Sequence, residues 1–190
     1  MKKGKLIVVS GPSGVGKDTI VSEYLKRDNN DVLSVSMTSR NKREGEVEGV
    51  NYYFKTKEGF EEEIRKGNLL EYAIYNGNYY GTPKSEVLER LEQGINVILV
   101  IEIQGARNIK NMLKDEALLI FVLPPSLEEL ERRLINRKTD SIETIKNRLE
   151  IAKREIEENT FYDYKIINDD INEAVNSLEN IIKSEYNIKK

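Results

Sequence analysis

Uninterrupted apolar runs alternate along this chain with segments whose apolar residues recur at helical spacing. Residues 6–9 (LIVV), 97–101 (VILVI) and 118–123 (LLIFVL) carry no polar interruption, the pattern of strands buried on both faces of a sheet. The run at 6–9 leads through a glycine-rich turn into a helical pattern that begins near Asp18 and ends near Asn29-Asn30. Residues 33–37 alternate as a half-buried strand does, and Tyr52-Tyr53-Phe54 is aromatic and strand-like. The spacing predicts a helix over 57–66 with Phe60 and Ile64 inward, then a strand over 69–75 interrupted by one acid, Glu71. Asn76-Gly77-Asn78 is a hairpin signal, so Glu71, Tyr80 and Thr82 are expected to face one small concave sheet. Pro83 opens a helix over 84–93 that Gly94 closes. Capping-box spacing at Ser126/Glu129 and Asp170/Glu173 starts two further helices, residues 139–143 start a third, and 164–167 is a last strand. Strands alternating with helices predict an α/β fold with a parallel, right-handed wound sheet.

The turn after the first strand is Gly11-Pro12-Ser13-Gly14-Val15-Gly16-Lys17. Its glycines let consecutive backbone N–H groups curl around a polyphosphate, the following helix aims its positive N-terminus at it, and Lys17 adds a full charge. An ordinary strand-to-helix turn would not need three glycines and a lysine together. This order of strand, loop and helix predicts a nucleoside triphosphate site. After Lys17 stands Asp18, with Thr19 next, where such loops offer Ser or Thr to Mg²⁺. Two readings of Asp18 stay open: a hard oxygen ligand for magnesium, or a residue that caps or solvates the helix start while water or Thr19 completes the metal shell.

Composition narrows the chemistry. The 190 residues, 38% hydrophobic and 33% charged, suit one globular domain with a real core. With 33 acids against 30 bases the net charge is −3, so no global basic field draws nucleic acid or an anionic membrane. The absence of cysteine and histidine removes disulfides, thiolate and imidazole metal sites and histidine acid-base catalysis. No run is long enough for a signal-peptide core or a membrane span, and the expectation is a cytoplasmic protein.

Two basic clusters remain. One is the loop holding Arg40, Lys42 and Arg43, readable as an anion clamp or as a solvated surface loop; the other holds Arg132, Arg133, Arg137 and, further on, Arg148. A phosphate cradle plus two basic clusters suits phosphoryl transfer between two phosphorylated molecules better than hydrolysis. Such transfer runs on positioning and charge neutralisation and needs no histidine. Glu71 has a bland alternative as an edge-strand gatekeeper against aggregation.

Residues 11–17, Ser34-Val35-Ser36, Thr38-Ser39-Arg40 with Arg43, Gly45-Glu46-Val47, Gly77-Asn78-Tyr79-Tyr80-Gly81, Gln104-Gly105 and Asn168-Asp169-Asp170 together resemble guanylate kinase, nearly end to end. The resemblance implies a P-loop nucleoside monophosphate kinase: a core of 1–33, 84–125 and 156–190, a GMP-binding lobe at 34–83 and a lid at 126–155. It implies phosphorylation of GMP, with dGMP, by Mg·ATP in purine nucleotide metabolism. GMP would be held by Ser36, Arg40, Arg43, Tyr52, Glu71, Tyr80, Thr82 and Glu102. ATP would lie on Gly11, Pro12, Ser13, Gly14, Val15, Gly16, Lys17, Asp18 and Thr19, with Asn168 at the adenine. Lys17, Arg40, Arg137 and Arg148 would be catalytic, the last two closing over the moving phosphate and excluding water.

Glu71 has a reason of its own for guanine. Guanine presents N1–H and an exocyclic NH₂ on one edge, which an ionised carboxylate accepts together, whereas adenine presents an acceptor at N1. Such a site rejects the wrong base by roughly 10⁴-fold. Asp18, Val100 and Glu102 depart from the family pattern, and one hypothesis has Asp18 restoring to magnesium the carboxylate missing at Val100. Two other functions are weighed: a guanylate-kinase-like binding module for a partner peptide, and a nucleotide switch or a kinase for another monophosphate. Monomer and homodimer are both left open.

Overall fold

A computed structural model describes residues 3–27, 30–136 and 141–187. Strands β1 (Leu6–Ser10), β2 (Asp31–Leu33), β7 (Asn96–Val100), β8 (Ala117–Leu123) and β9 (Tyr164–Ile167) form a five-stranded sheet in the order β2-β7-β1-β8-β9. The registered pairs β2–β7 and β8–β9 are parallel. Strands β3 (Met37–Thr38), β4 (Tyr53–Phe54), β5 (Leu69–Tyr75) and β6 (Asn78–Pro83) form a second sheet in the order β4-β3-β6-β5. The helices are α1 (Lys17–Leu25), α2 (Lys57–Arg65), α3 (Lys84–Glu92), α4 (Ile103–Leu113), α5 (Leu127–Asn136), α6 (Ile142–Glu157) and α7 (Ile171–Asn187). None of the described helices is long and apolar enough to cross a membrane.

The apolar runs become the buried strands: all five residues of β1 are buried, as are Val97, Ile98 and Leu99 of β7 and 117–122 of β8. The alternating stretch 33–37 is not one strand. Asp31–Leu33 pairs with β7, Ser34 still donates its N–H to the Ile98 carbonyl, and by Met37 the chain has joined β4 and β6. Leu33 is exposed and Ser34 buried, so the alternation does not follow burial where the chain passes from one sheet to the other.

The chain divides into two compact units, each made of separate stretches: Met1–Val8 with Asn30–Leu118, and Val9–Asn29 with Leu119–Lys190. The first holds the small sheet. There Phe60 of α2 is fully buried and stacks on Tyr79 of β6 with centroids 5.1 Å apart. Its start is capped by Thr56, whose hydroxyl accepts from the Gly59 N–H. In the second unit α5 and α6 share an apolar cluster of Leu130, Leu134, Ile145 and Ala152. The Ser126 and Ser141 hydroxyls accept from the N–H groups of Glu129 and Thr144 at their starts, and Asp170 accepts from the N–H groups of Asn172 and Glu173 before α7.

Candidate active site

In the second unit, β1 ends at the glycine-rich turn. Gly11 adopts φ +148°, and a Cβ there would lie 2.3 Å from the Val122 carbonyl oxygen; Gly16 adopts φ +100°, where a Cβ would meet the Asn168 Nδ2 at 2.5 Å. Only glycine lets the loop lie this close to its supports. Asn168 is buried and donates from Nδ2 to the Val15 carbonyl at 2.8 Å. Arg133 donates from Nη2 to the Asn168 carbonyl at 3.0 Å and from Nε to Glu129 at 2.8 Å. Two guanidinium groups, those of Arg132 and Arg133, hold the Glu129 carboxyl down at about 2. Lys17 is buried and donates from Nζ to the loop's own carbonyls, Gly11 at 2.6 Å and Pro12 at 3.2 Å.

Asp18 and Thr19 are both exposed in the first turn of α1. Gly16 is the N-cap and has no side chain to cap the helix, and Asp18 stands as the acid of the first turn. Among the described residues no group of three acids is gathered to cage a metal. Arg148 of α6 is half-buried. Arg137 lies outside the described residues.

The first unit carries the other residues. Glu71 and Thr82 are register partners across β5 and β6, and the Thr82 hydroxyl donates to Glu71 Oε1 at 2.8 Å. Both side chains are buried, so Glu71 is no surface gatekeeper. Burial pushes its carboxyl up to about 7, with the Thr82 bond pulling the other way. At neutral pH this group is therefore only part ionised, not fully so. Glu102 is the N-cap of α4, and its Oε2 is buried with no hydrogen-bond partner among the described residues. Ser36 and Tyr80 are half-buried.

Arg40 is not part of a solvated loop. It forms a bidentate pair with Glu46, Nη2 to Oε1 at 2.7 Å and Nη1 to Oε2 at 3.1 Å, the two side chains only 13% and 16% exposed. Its guanidinium lies over the rings of Tyr52 and Phe54 at 5.4 and 5.8 Å, and the Tyr52 ring meets Tyr80 edge-on at 6.1 Å. Pairing with Glu46 raises the Arg40 pKa and lowers that of Glu46. The Arg43 N–H also donates to Glu46, at 2.7 Å, while the Arg43 side chain is exposed. Sequence reasoning quoted Glu46 only within a motif and counted Arg133 only in a basic cluster, and it gave no part to the pairing of Glu46 with Arg40 or to the brace that Arg133 and Asn168 make for the turn. The signal for Glu46 was present as an acid six residues after a candidate phosphate arginine.

A family model described as guanylate kinase matches residues 3–185. The guanylate kinase of Clostridium tetani is 50% identical over 185 residues, covering 97% of this chain and 88% of that protein; that of Clostridioides difficile is 51% identical over 187 residues, covering 98% and 91%. The crystal structure of guanylate kinase from Anaplasma phagocytophilum superposes with a TM-score of 0.82 at 36% identity, covering 97% of this chain and 87% of that one. The chain belongs to the guanylate kinase family. A guanylate kinase match of this span includes the glycine-rich turn, the Glu71 hairpin and the two arginine clusters alike. Family membership at this identity makes the chain a kinase, and the readings as a binding module or a nucleotide switch give way.

Proposed function

We propose that this chain transfers the γ-phosphoryl group of Mg·ATP directly and in line to the phosphate of GMP, and of dGMP, giving ADP and GDP or dGDP in the purine metabolism of the cytoplasm. The observation that carries the reading is the buried Glu71 carboxyl, held at one oxygen by Thr82. A carboxylate buried at such expense of solvation is matched by a base edge with two donors, and guanine is the purine that has one. The orphaned Glu102 Oε2 offers a second acceptor, and Ser36 adds a hydroxyl. Arg40, Arg43, Tyr52 and Tyr80 receive the GMP phosphate, which displaces or shares the Glu46 carboxylate now on Arg40.

ATP phosphates lie in the turn at 11–17, and Lys17 leaves the Gly11 and Pro12 carbonyls for them. Asn168, holding Val15 in place, sits near the adenine in this reading. Magnesium fits the donors present, because it keeps several waters and takes one or two carboxylates plus substrate phosphates rather than an all-protein cage. Asp18, exposed beside the turn, is that carboxylate, with Thr19 as a hydroxyl neighbour. When bound, the ion neutralises charge on the donor's phosphates. Arg148, and Arg137 with it, neutralise the moving group from the lid at 126–155, while the acceptor phosphate is already anionic and needs no base.

The test is ADP formation from Mg·ATP with GMP, dGMP, AMP, UMP or dTMP supplied separately, beside a control with no acceptor. Turnover should be fast with the two guanine nucleotides and lower by roughly 10³-fold or more with the others. Equal rates with AMP, or ADP release that ignores the acceptor, would reject the assignment.

A further inference from the structure

Glu71 lies on β5, the terminal strand of its sheet, and the outer edge of that strand is taken up by α4. Gln104 Oε1 accepts from the Ile74 N–H at 3.3 Å, and Asn108 Nδ2 donates to the Tyr72 carbonyl at 3.1 Å. These two side chains stand four residues apart, on one face of the helix, and they reach strand groups two residues apart, on one edge. Helix and strand are thereby fixed in register. Between them comes Gly105. A Cβ at Gly105 would lie 2.3 Å from Glu71 Oε2 and 3.3 Å from Ile101 Cδ1. The Glu71 carboxyl is thus bounded by the Thr82 hydroxyl at one oxygen and by the bare backbone of α4 at the other.

We propose that Gly105, with Gln104 and Asn108, forms a positioning set for base recognition: α4 fixes the carboxylate of Glu71 in the place where it meets the base, so guanine selectivity is set by this helix as much as by the hairpin. The proposal rests on the reading of Glu71 as the guanine acceptor. Its physical content is a distance. An added methyl must push Oε2 away by about 1 Å to reach ordinary contact, a misplacement of the size that costs about 10²-fold in a positioned site. The nearest atom displaced is the tip of a side chain rather than backbone, and alanine is the better helix former, so the change strikes recognition before it strikes the fold.

The experiment measures KM and kcat for GMP, for IMP, which lacks the exocyclic amine, and for ATP, in the parent, Gly105→Ala, Asn108→Ala, Glu71→Gln and the double variant Gly105→Ala/Glu71→Gln. The Gly105→Ala protein should show a KM for GMP raised roughly 10- to 100-fold, a KM for ATP within about twofold of the parent, and a narrowed preference for GMP over IMP. The double variant should be no worse than Glu71→Gln alone, because both changes act through one carboxylate. If Glu71→Gln keeps the parent's GMP preference, the reading of Glu71 itself fails. If Glu71→Gln loses that preference while Gly105→Ala keeps it, or if the two losses add, the positioning role is overturned and the reading of Glu71 stands. Should Gly105→Ala not fold by circular dichroism, Asn108→Ala decides: a smaller narrowing in the same direction supports the set, and an unchanged GMP-to-IMP ratio overturns it.

Discussion

Glu71 gives one residue a measurable share in the chain's dependence on pH near neutrality. Its carboxyl titrates near 4.5 when exposed and at about 7 where it is buried. A raised carboxyl pKa means that the folded chain keeps a proton that the unfolded chain has released, so this group lowers stability as pH rises from about 4.5 to about 7. The penalty is about 3 kcal/mol and is complete above the upper value. Glu71→Gln should therefore leave urea resistance near pH 4.5 almost unchanged and raise it by up to that amount at pH 8; equal effects at both pH values would deny the burial cost. If Glu71 is the guanine acceptor, as proposed, binding has the opposite preference, since the two donors of the base favour the ionised carboxylate. The kcat/KM for GMP should fall as pH drops below about 7, and Glu71→Gln should lose the Glu71 part of that limb. The part left in the variant belongs to the phosphate of GMP, which titrates near 6 on the analogy of phosphorylated side chains. Asp18 gives a second test at this scale: Asp18→Ser should raise the magnesium concentration needed for half-maximal turnover, and an unchanged magnesium curve would remove Asp18 from the metal shell.

At the scale of elements, the glycine-rich turn is a loop held from outside. Its Val15 carbonyl depends on Asn168, which follows β9, and Asn168 in turn accepts from Arg133 of α5. Asn168→Ala should cost about 1–3 kcal/mol in a melting experiment by leaving a carbonyl unpaired, and should raise the KM for ATP more than that for GMP. A uniform change in both would mean that the brace does not serve the turn. The turn was legible because glycine spacing and a following helix have few other causes, and the hairpin because Asn-Gly joins two strand-like runs. Glu71 was legible as an acid out of place in an apolar strand. The supports were not, because Asn168 and Val15 stand 153 positions apart and Arg133 looks like any arginine on a charged helix. The jump between sheets at 34–36 was hidden for a similar reason, since pairing partners are a property of the fold and not of local alternation.

For the whole molecule, the division into two units cuts through β1: its first three residues belong with 30–118 and its last two with 119–190. Neither unit is a continuous stretch of chain. Calorimetric unfolding should accordingly show one transition, with van't Hoff and calorimetric enthalpies equal, and two resolved peaks would show that the units melt independently.

The same interleaving sets an order of events during synthesis. Residues 11–17 leave the ribosome before Val122, which seats Gly11, and before Asn168, which seats Val15 and Gly16, because both supports lie further along the chain. On the proposed function, the nascent chain therefore carries its phosphate-binding sequence before the walls that shape it, and competence for ATP waits until β9 and the Asn168 that follows it have docked.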